Sequence, residues 1–175
     1  MSVYADADFA GCKQTARSTN GVFLAITGEN SFFPIDAISK RQSCVSHSTA
    51  EAEIVAADLA VRSLGLPAKV LLEFVLNHEF RMVLLEDNQA TTRIIKNGKS
   101  QTLRHFSRTH HINICWLAEL VKDKELEVEY IVTTLQAADM FTKAFTNLQK
   151  WCAGLRLSGL VQGVQNFERS VEVPE

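Results

Sequence analysis

The sequence predicts an α/β fold, a mixed five-stranded sheet flanked by helices. Two observations carry this. Segments of strand-like, period-2 hydrophobicity come first as a run of three and then singly between helical segments, in the order β-β-β-α-β-α-α-β-α. A run of three strands reads as a meander, and strands separated by helices read as a mixed sheet with helices packed on it. The second observation is size: 175 residues, 46% hydrophobic and 22% charged, suit one domain with one core.

In chain order, Val3, Ala5, Ala7 and Phe9 alternate with Tyr4, Asp6 and Asp8, a strand with both aspartates on one face. Strands over 22–27 and 31–39, joined at Gly28-Glu29-Asn30, make a hairpin, and Pro34 marks the second of them as an edge or an irregular strand. Ser48-Thr49-Ala50-Glu51 fits a capping box, and Ala50, Ile54, Ala57, Val61 and Leu64 recur at helical spacing. Gly65-Leu66-Pro67 is expected to break or kink this helix before a second piece over 68–76. Residues 81–86 hold the short apolar run of a buried strand, and a helix from Asn88 to Lys96 stops at Asn97-Gly98. After a polar loop over 99–105, one helix is expected from Ser107 or Thr109 to Val121, then a strand over 126–132. A last helix starts at Ala137 and extends towards Leu157. Trp151 is assigned to the core. The domain is placed at 1–158, with a loose tail over 159–175.

No apolar run reaches the ~18 residues of a membrane span, so no membrane role is expected. Met1-Ser2-Val3-Tyr4 shows no signal-peptide pattern. Cys12, Cys44, Cys115 and Cys152 form no C-x-x-C pair and read as free thiols. The net charge of −2 neither points to nucleic acid nor excludes it, because acids clustered around cations offset bases elsewhere.

Four carboxylates fall where such a fold converges. Asp6 lies mid-strand, Glu53 in the first full turn of the long helix, Asp87 at the C-terminal end of the buried strand, and Asp139 in the first turn of the last helix. Open α/β sheets place ligands at the carboxyl ends of strands. Neighbouring buried carboxylates repel, and hard cations such as Mg2+ or Mn2+ relieve that repulsion. Two such cations suit an in-line phosphodiester displacement. Glu51 and Glu53, ~200° apart on a helix, face opposite ways. Glu51 is accounted for by the cap, so the metal role goes to Glu53. Asp6 and Asp8 share a face, and strand geometry alone does not choose between them.

The same residues carry a family resemblance. Tyr4-Ala5-Asp6-Ala7-Asp8-Phe9-Ala10-Gly11, Arg17-Ser18-Thr19-Asn20-Gly21, Ser39-Lys40-Arg41-Gln42 and Ser48-Thr49-Ala50-Glu51-Ala52-Glu53 resemble, in order, motifs of copia-type retrotransposon ribonuclease H domains. Asp87-Asn88-Gln89-Ala90, Ser107-Arg108-Thr109-His110-His111-Ile112 and Gln136-Ala137-Ala138-Asp139-Met140-Phe141-Thr142-Lys143 continue the series to about residue 150. The resemblance implies a ribonuclease H-like, retroviral-integrase-like fold and a catalytic, metal-binding set of Asp6, Glu53, Asp87 and Asp139. By its register Asp6 rather than Asp8 is catalytic. It implies two Mg2+ or Mn2+ ions, an RNA/DNA hybrid as substrate, a reverse transcriptase domain in the same polyprotein, and a cytoplasmic, virus-like-particle setting.

Asp8, Ser18, Thr19, Asn88, Gln89, Arg108 and His111 are the candidate substrate contacts. His105, His110, His111 and Cys115 match no standard zinc spacing. Two other readings are weighed: a catalytically silent nucleic-acid-binding or connection module, against which the four intact acids argue, and a DNA integrase or junction nuclease, which the motifs disfavour.

Overall fold

A computed structural model describes residues 1–160. Its five strands are β1 (Ser2–Asp8), β2 (Thr19–Gly28), β3 (Ser31–Arg41), β4 (Val83–Glu86) and β5 (Glu127–Tyr130). They form one sheet in the order β3-β2-β1-β4-β5. β1, β2 and β3 pair antiparallel, whereas β4 runs parallel to both β1 and β5. β3 is therefore an edge strand, and Pro34 lies beside a register shift: Leu24 pairs with Asp36 but Ala25 with Pro34, so Ile35 is the extra residue.

Helices α1 (Thr49–Ala60), α3 (Gln89–Asn97) and α5 (Ile114–Lys122) pack on one side of the sheet. There Val3, Ala5, Val22, Leu24 and Leu84 meet Ala52, Ala56, Ala57, Ala60, Ile95 and Leu117. The alanines let α1 lie close to the strands. On the other side Phe23 and Ala25 meet Ala137, with Tyr4, Phe32, Phe141 and Leu157 packed against them. No helix among the described residues is long and apolar enough to cross a membrane, and the four cysteines are unpaired.

Four local expectations are corrected. Gly65-Leu66-Pro67 does not break the helix: the turn Val61–Gly65 widens to π geometry and α2 (Leu66–Leu76) continues from it. Pro67 sits just past the π turn, near the start of α2. The single helix expected near 107–121 is two, α4 (Phe106–His110) and α5. His111 adopts a left-handed conformation (φ 56°), and the Asn113 side chain caps a new helix by accepting from the Cys115 N–H. The last helix is also divided, into a 3-10 segment Ala137–Phe141 and α6 (Leu148–Leu157), whose N-cap Asn147 accepts from the Gln149 and Lys150 N–H groups. Trp151 is 42% exposed beside Phe145 rather than in the core.

Of the expected tail, Gly159 (φ 73°) and Leu160 finish α6, donating to the Arg156 and Leu155 carbonyls. Residues 161–175 lie outside the described residues.

A buried polar bridge fixes α1 to the sheet. Gln42 Nε2 donates to Asn20 Oδ1 on β2 (2.5 Å) and to the Ala52 carbonyl on α1 (3.0 Å), and Gln42 Oε1 accepts from Ser46 Oγ (2.8 Å). Gln42→Ala strands these buried partners, so it is expected to cost about 2–3 kcal/mol in urea unfolding. A loss within about 0.5 kcal/mol would show that the bridge does not hold α1 in place.

Candidate metal centre

The site forms where the β1–β4 ladder ends. The last register pair is Tyr4 with Leu85, and Asp6 and Asp87 each follow two residues later. Past that pair the buried Gln136 side chain takes over: its Nε2 donates to the Ala5 (2.9 Å) and Leu85 (3.3 Å) carbonyls, and its Oε1 accepts from the Ala138 N–H (3.3 Å). One amide thus joins β1, β4 and the 3-10 segment bearing Asp139. That segment lies directly on the sheet because Gly21, the register partner of Asp6, has no side chain. A Cβ there would come within 2.4 Å of the Ala138 carbonyl oxygen. Thr142 at the end of the segment sets its hydroxyl 2.8 Å from Asp6 Oδ2 and 2.9 Å from the Asp139 carbonyl, sharing its proton between the two.

Glu53 is brought in by α1. Ser48 caps the helix by accepting from the Glu51 N–H (3.1 Å). Glu51 reaches back to the His47 N–H (3.0 Å), and its other oxygen lies 2.7 Å from His110 Nε2. Burial alone would raise the Glu51 carboxyl, but the His47 N–H and His110 outweigh it, and the carboxyl is held below its usual range. This fully buried acid belongs to the scaffold. Glu53, two residues on, faces the strand ends.

One carboxylate oxygen from each of Asp6, Glu53 and Asp87 lies within 4.8 Å of the other two. Asp6 and Glu53 are buried and Asp87 is half-buried. Burial, then the repulsion of Asp6 and Asp87, pushes the Glu53 carboxyl up to about 9. Burial, then the charges of Asp139 and Asp87, raises Asp6 to about 6 against the opposing Thr142 hydrogen bond and Lys143. Glu53 Oε2 is buried with no hydrogen-bond partner. Three hard oxygen donors converging at this spacing, one of them orphaned, fit a divalent cation.

Among curated proteins, the retrovirus-related Pol polyprotein from transposon TNT 1-94 of Nicotiana tabacum is 34% identical to this chain over 142 residues, 80% of its length. The chain belongs to the retrovirus-related Pol polyproteins of copia-type retrotransposons. It spans only 10% of that polyprotein. The fold agrees: LC11-RNase H1, isolated from compost, superposes with a TM-score of 0.52 at 18% identity, covering 81% of this chain and 91% of its own. The solution structure of the PFV RNase H domain aligns with a TM-score of 0.48 at 13% identity, over 89% of this chain and 90% of its own. No family model matches the sequence.

This ribonuclease H-like fold gathers Asp6, Glu53 and Asp87, and sets Asp139 at their margin. Asp139 ion-pairs with Lys143, and its charge is felt by Asp6. Thr19, Asp8 and Asn88 are half-buried nearby in sequence, and Gln89, Arg108 and His111 are exposed. The Asn88 side-chain oxygen caps α3, accepting from the Ala90 and Thr91 N–H groups. Ser18 is fully buried, and its hydroxyl accepts from the Ala10 N–H (3.1 Å), bracing the loop after β1.

Sequence reasoning missed Glu86. Strand alternation turns it to the face opposite Asp87. There it is fully buried, its Oε2 lacks a partner, and burial followed by the charges of Glu53, Asp87 and Asp6 raises its carboxyl well above the usual range. Its available signal was an acid ending an otherwise apolar strand.

These raised carboxyls give a pH dependence. Each binds its proton more tightly folded than unfolded, so its contribution to stability is full below the ordinary carboxylate value of about 4 and is lost as pH rises through the folded value. Urea unfolding of the cation-free protein is therefore expected to show stability falling from pH about 4 to about 9, less steeply once the Asp6 value of about 6 is passed and levelling off beyond the Glu53 value of about 9. Magnesium should reverse the fall. A flat or rising curve in chelator would contradict the strain described here.

Proposed function

We propose that this domain is a metal-dependent ribonuclease H that hydrolyses the RNA strand of RNA/DNA hybrids within a retrotransposon reverse transcriptase. The observation that carries the reading is the convergence of Asp6, Glu53 and Asp87 at the ends of β1, α1 and β4, in a chain of this family and fold. Asp6, Glu53 and Asp87 would hold two Mg2+ or Mn2+ ions, with Asp139 completing the set from the margin. When bound, such ions activate water for attack on phosphorus and stabilise the departing 3′-oxygen.

The chain's own residues orient and position. Gln136 and Gln42 fix the acids' backbones, and Thr142 orients Asp6. To act as a ligand Glu53 would have to give up its proton. Lys143 ion-pairs with Asp139 and holds it turned to the margin. Exposed Gln89 and Arg108, with Asn88, Thr19, Asp8 and His111, face the hybrid, where contact with the 2′-hydroxyl distinguishes RNA from DNA. An open cleft of about 690 Å³ lined by Asn97, Lys99, Ser100, Gln101 and Arg104 adds cationic surface suited to phosphates. The setting is the polyprotein's polymerase, in a cytoplasmic virus-like particle.

A labelled RNA/DNA hybrid, assayed beside single-stranded RNA, double-stranded RNA and double-stranded DNA, tests this. Cutting of the hybrid's RNA strand alone is expected with Mg2+ or Mn2+, none in chelator, and none by Asp87→Asn in a protein that still folds. Activity retained in that variant would remove Asp87 from the site. Hybrid binding without cutting by the wild type would favour the silent-module reading.

A further inference from the structure

The far end of the long helix presents an apolar surface that this domain does not use. On α2, Val70, Leu71, Phe74 and Val75 are 66%, 61%, 85% and 65% exposed. At ~100° per residue they fall within an arc of about 140°. The opposite side of the helix is anchored: Leu66, Ala68 and Leu72 pack on the core, and Lys69 ion-pairs with Glu73 and Glu125. The face is therefore held rigidly outward. Contiguous apolar patches of this kind mark interaction sites.

Two placements say what covers it. Phe80, just past α2, donates its N–H to Glu73 on α2 (2.9 Å), and the next residue, Arg81, accepts from the Met1 amino group (2.8 Å). Position 1 thus lies beside α2, and a polypeptide joined ahead of it emerges there. The α1–π–α2 rod also runs away from the metal centre. Glu53 sits at its start by the C-terminal end of β1, whereas Gly65, leading into α2, lies against Val3 and Met82 near the strands' beginnings. A partner on α2 leaves the carboxylates open.

We propose that the Val70–Leu71–Phe74–Val75 face of α2 docks the polymerase domain joined ahead of this chain, through an apolar patch on that domain. This rests on the polyprotein setting proposed above. It adds the surface through which the two domains are held together.

The test uses the region encoded immediately upstream of residue 1, expressed as a separate chain, mixed with this chain and followed by calorimetry and hydrogen exchange. A 1:1 complex that protects α2, and that Leu71→Lys with Phe74→Lys weakens at least about 10-fold, is expected. Both substituted side chains are exposed, so the variant should fold, and its hybrid cleavage, read in parallel, should match the wild type. No complex, or a complex that leaves α2 unprotected, overturns the proposal. So does protection of α2 that appears in this chain alone with rising concentration, which assigns the face to a second copy. Protection of the chain alone that vanishes on deletion of 161–175 assigns it to that segment and overturns the proposal too. Hybrid cleavage retained while docking fails refutes the docking alone, and docking without cleavage refutes only the nuclease reading.

Discussion

Mutual repulsion among buried carboxylates is the constraint on which the rest of this structure depends. Asp6, Glu53 and Asp87 share one small volume, and Glu86 lies fully buried behind them. Lys143 is the cation whose charge is felt at both Asp6 and Glu53, and it is itself ion-paired to Asp139. In water these acids would be ionised at neutral pH. Here burial and one another's charge drive Glu53 to about 9. A site kept in this condition is poised for cations, because each one bound replaces protons and removes repulsion together.

Holding like charges together needs a rigid frame, and the polar residues around the site supply it. Gln136 spans the gap where β1 and β4 cease to pair, Gly21 lets the segment carrying Asp139 and Thr142 lie on the sheet, and Gln42 ties the first turns of α1 to β2. Glu51 secures the start of α1 to the His47 backbone and to His110. The Gln136 bond to Ala5 and the Gln42 bonds are buried and those of Glu51 partly so, which places them in a low-dielectric setting where loss of a partner is costly. The acids are strained while their supports are satisfied.

Much of this was legible in the sequence because it is written in local periodicity. The alternation over β1 put Asp6 on a strand, the capping signal at Ser48 separated the roles of Glu51 and Glu53, and Pro34 announced an irregular edge. What was not legible depends on contacts across the fold. Ser18 looked like a surface hydroxyl and is sealed inside by the turn after β1. Pro67 looked like a helix breaker, yet a π turn absorbs it. His111 read as part of a continuous helix, whereas its left-handed conformation and the cap at Asn113 divide that helix in two. Glu86 was hidden by its place in an apolar strand, where its burial depends on the elements packed over that strand's end. Gln136 and Gln42 were visible as parts of motifs, but their structural work, bridging backbones that approach only in three dimensions, has no sequence period.

The most direct measurement of the central claim is the number of protons released when the metal-free protein takes up Mn2+ at pH about 7.5, obtained by titration calorimetry in buffers of different ionisation enthalpy. Glu53 holds its proton at that pH and must lose it to become a ligand, so uptake is expected to release about one proton. Binding at this site with no proton released, or no binding by the folded domain, would contradict the account.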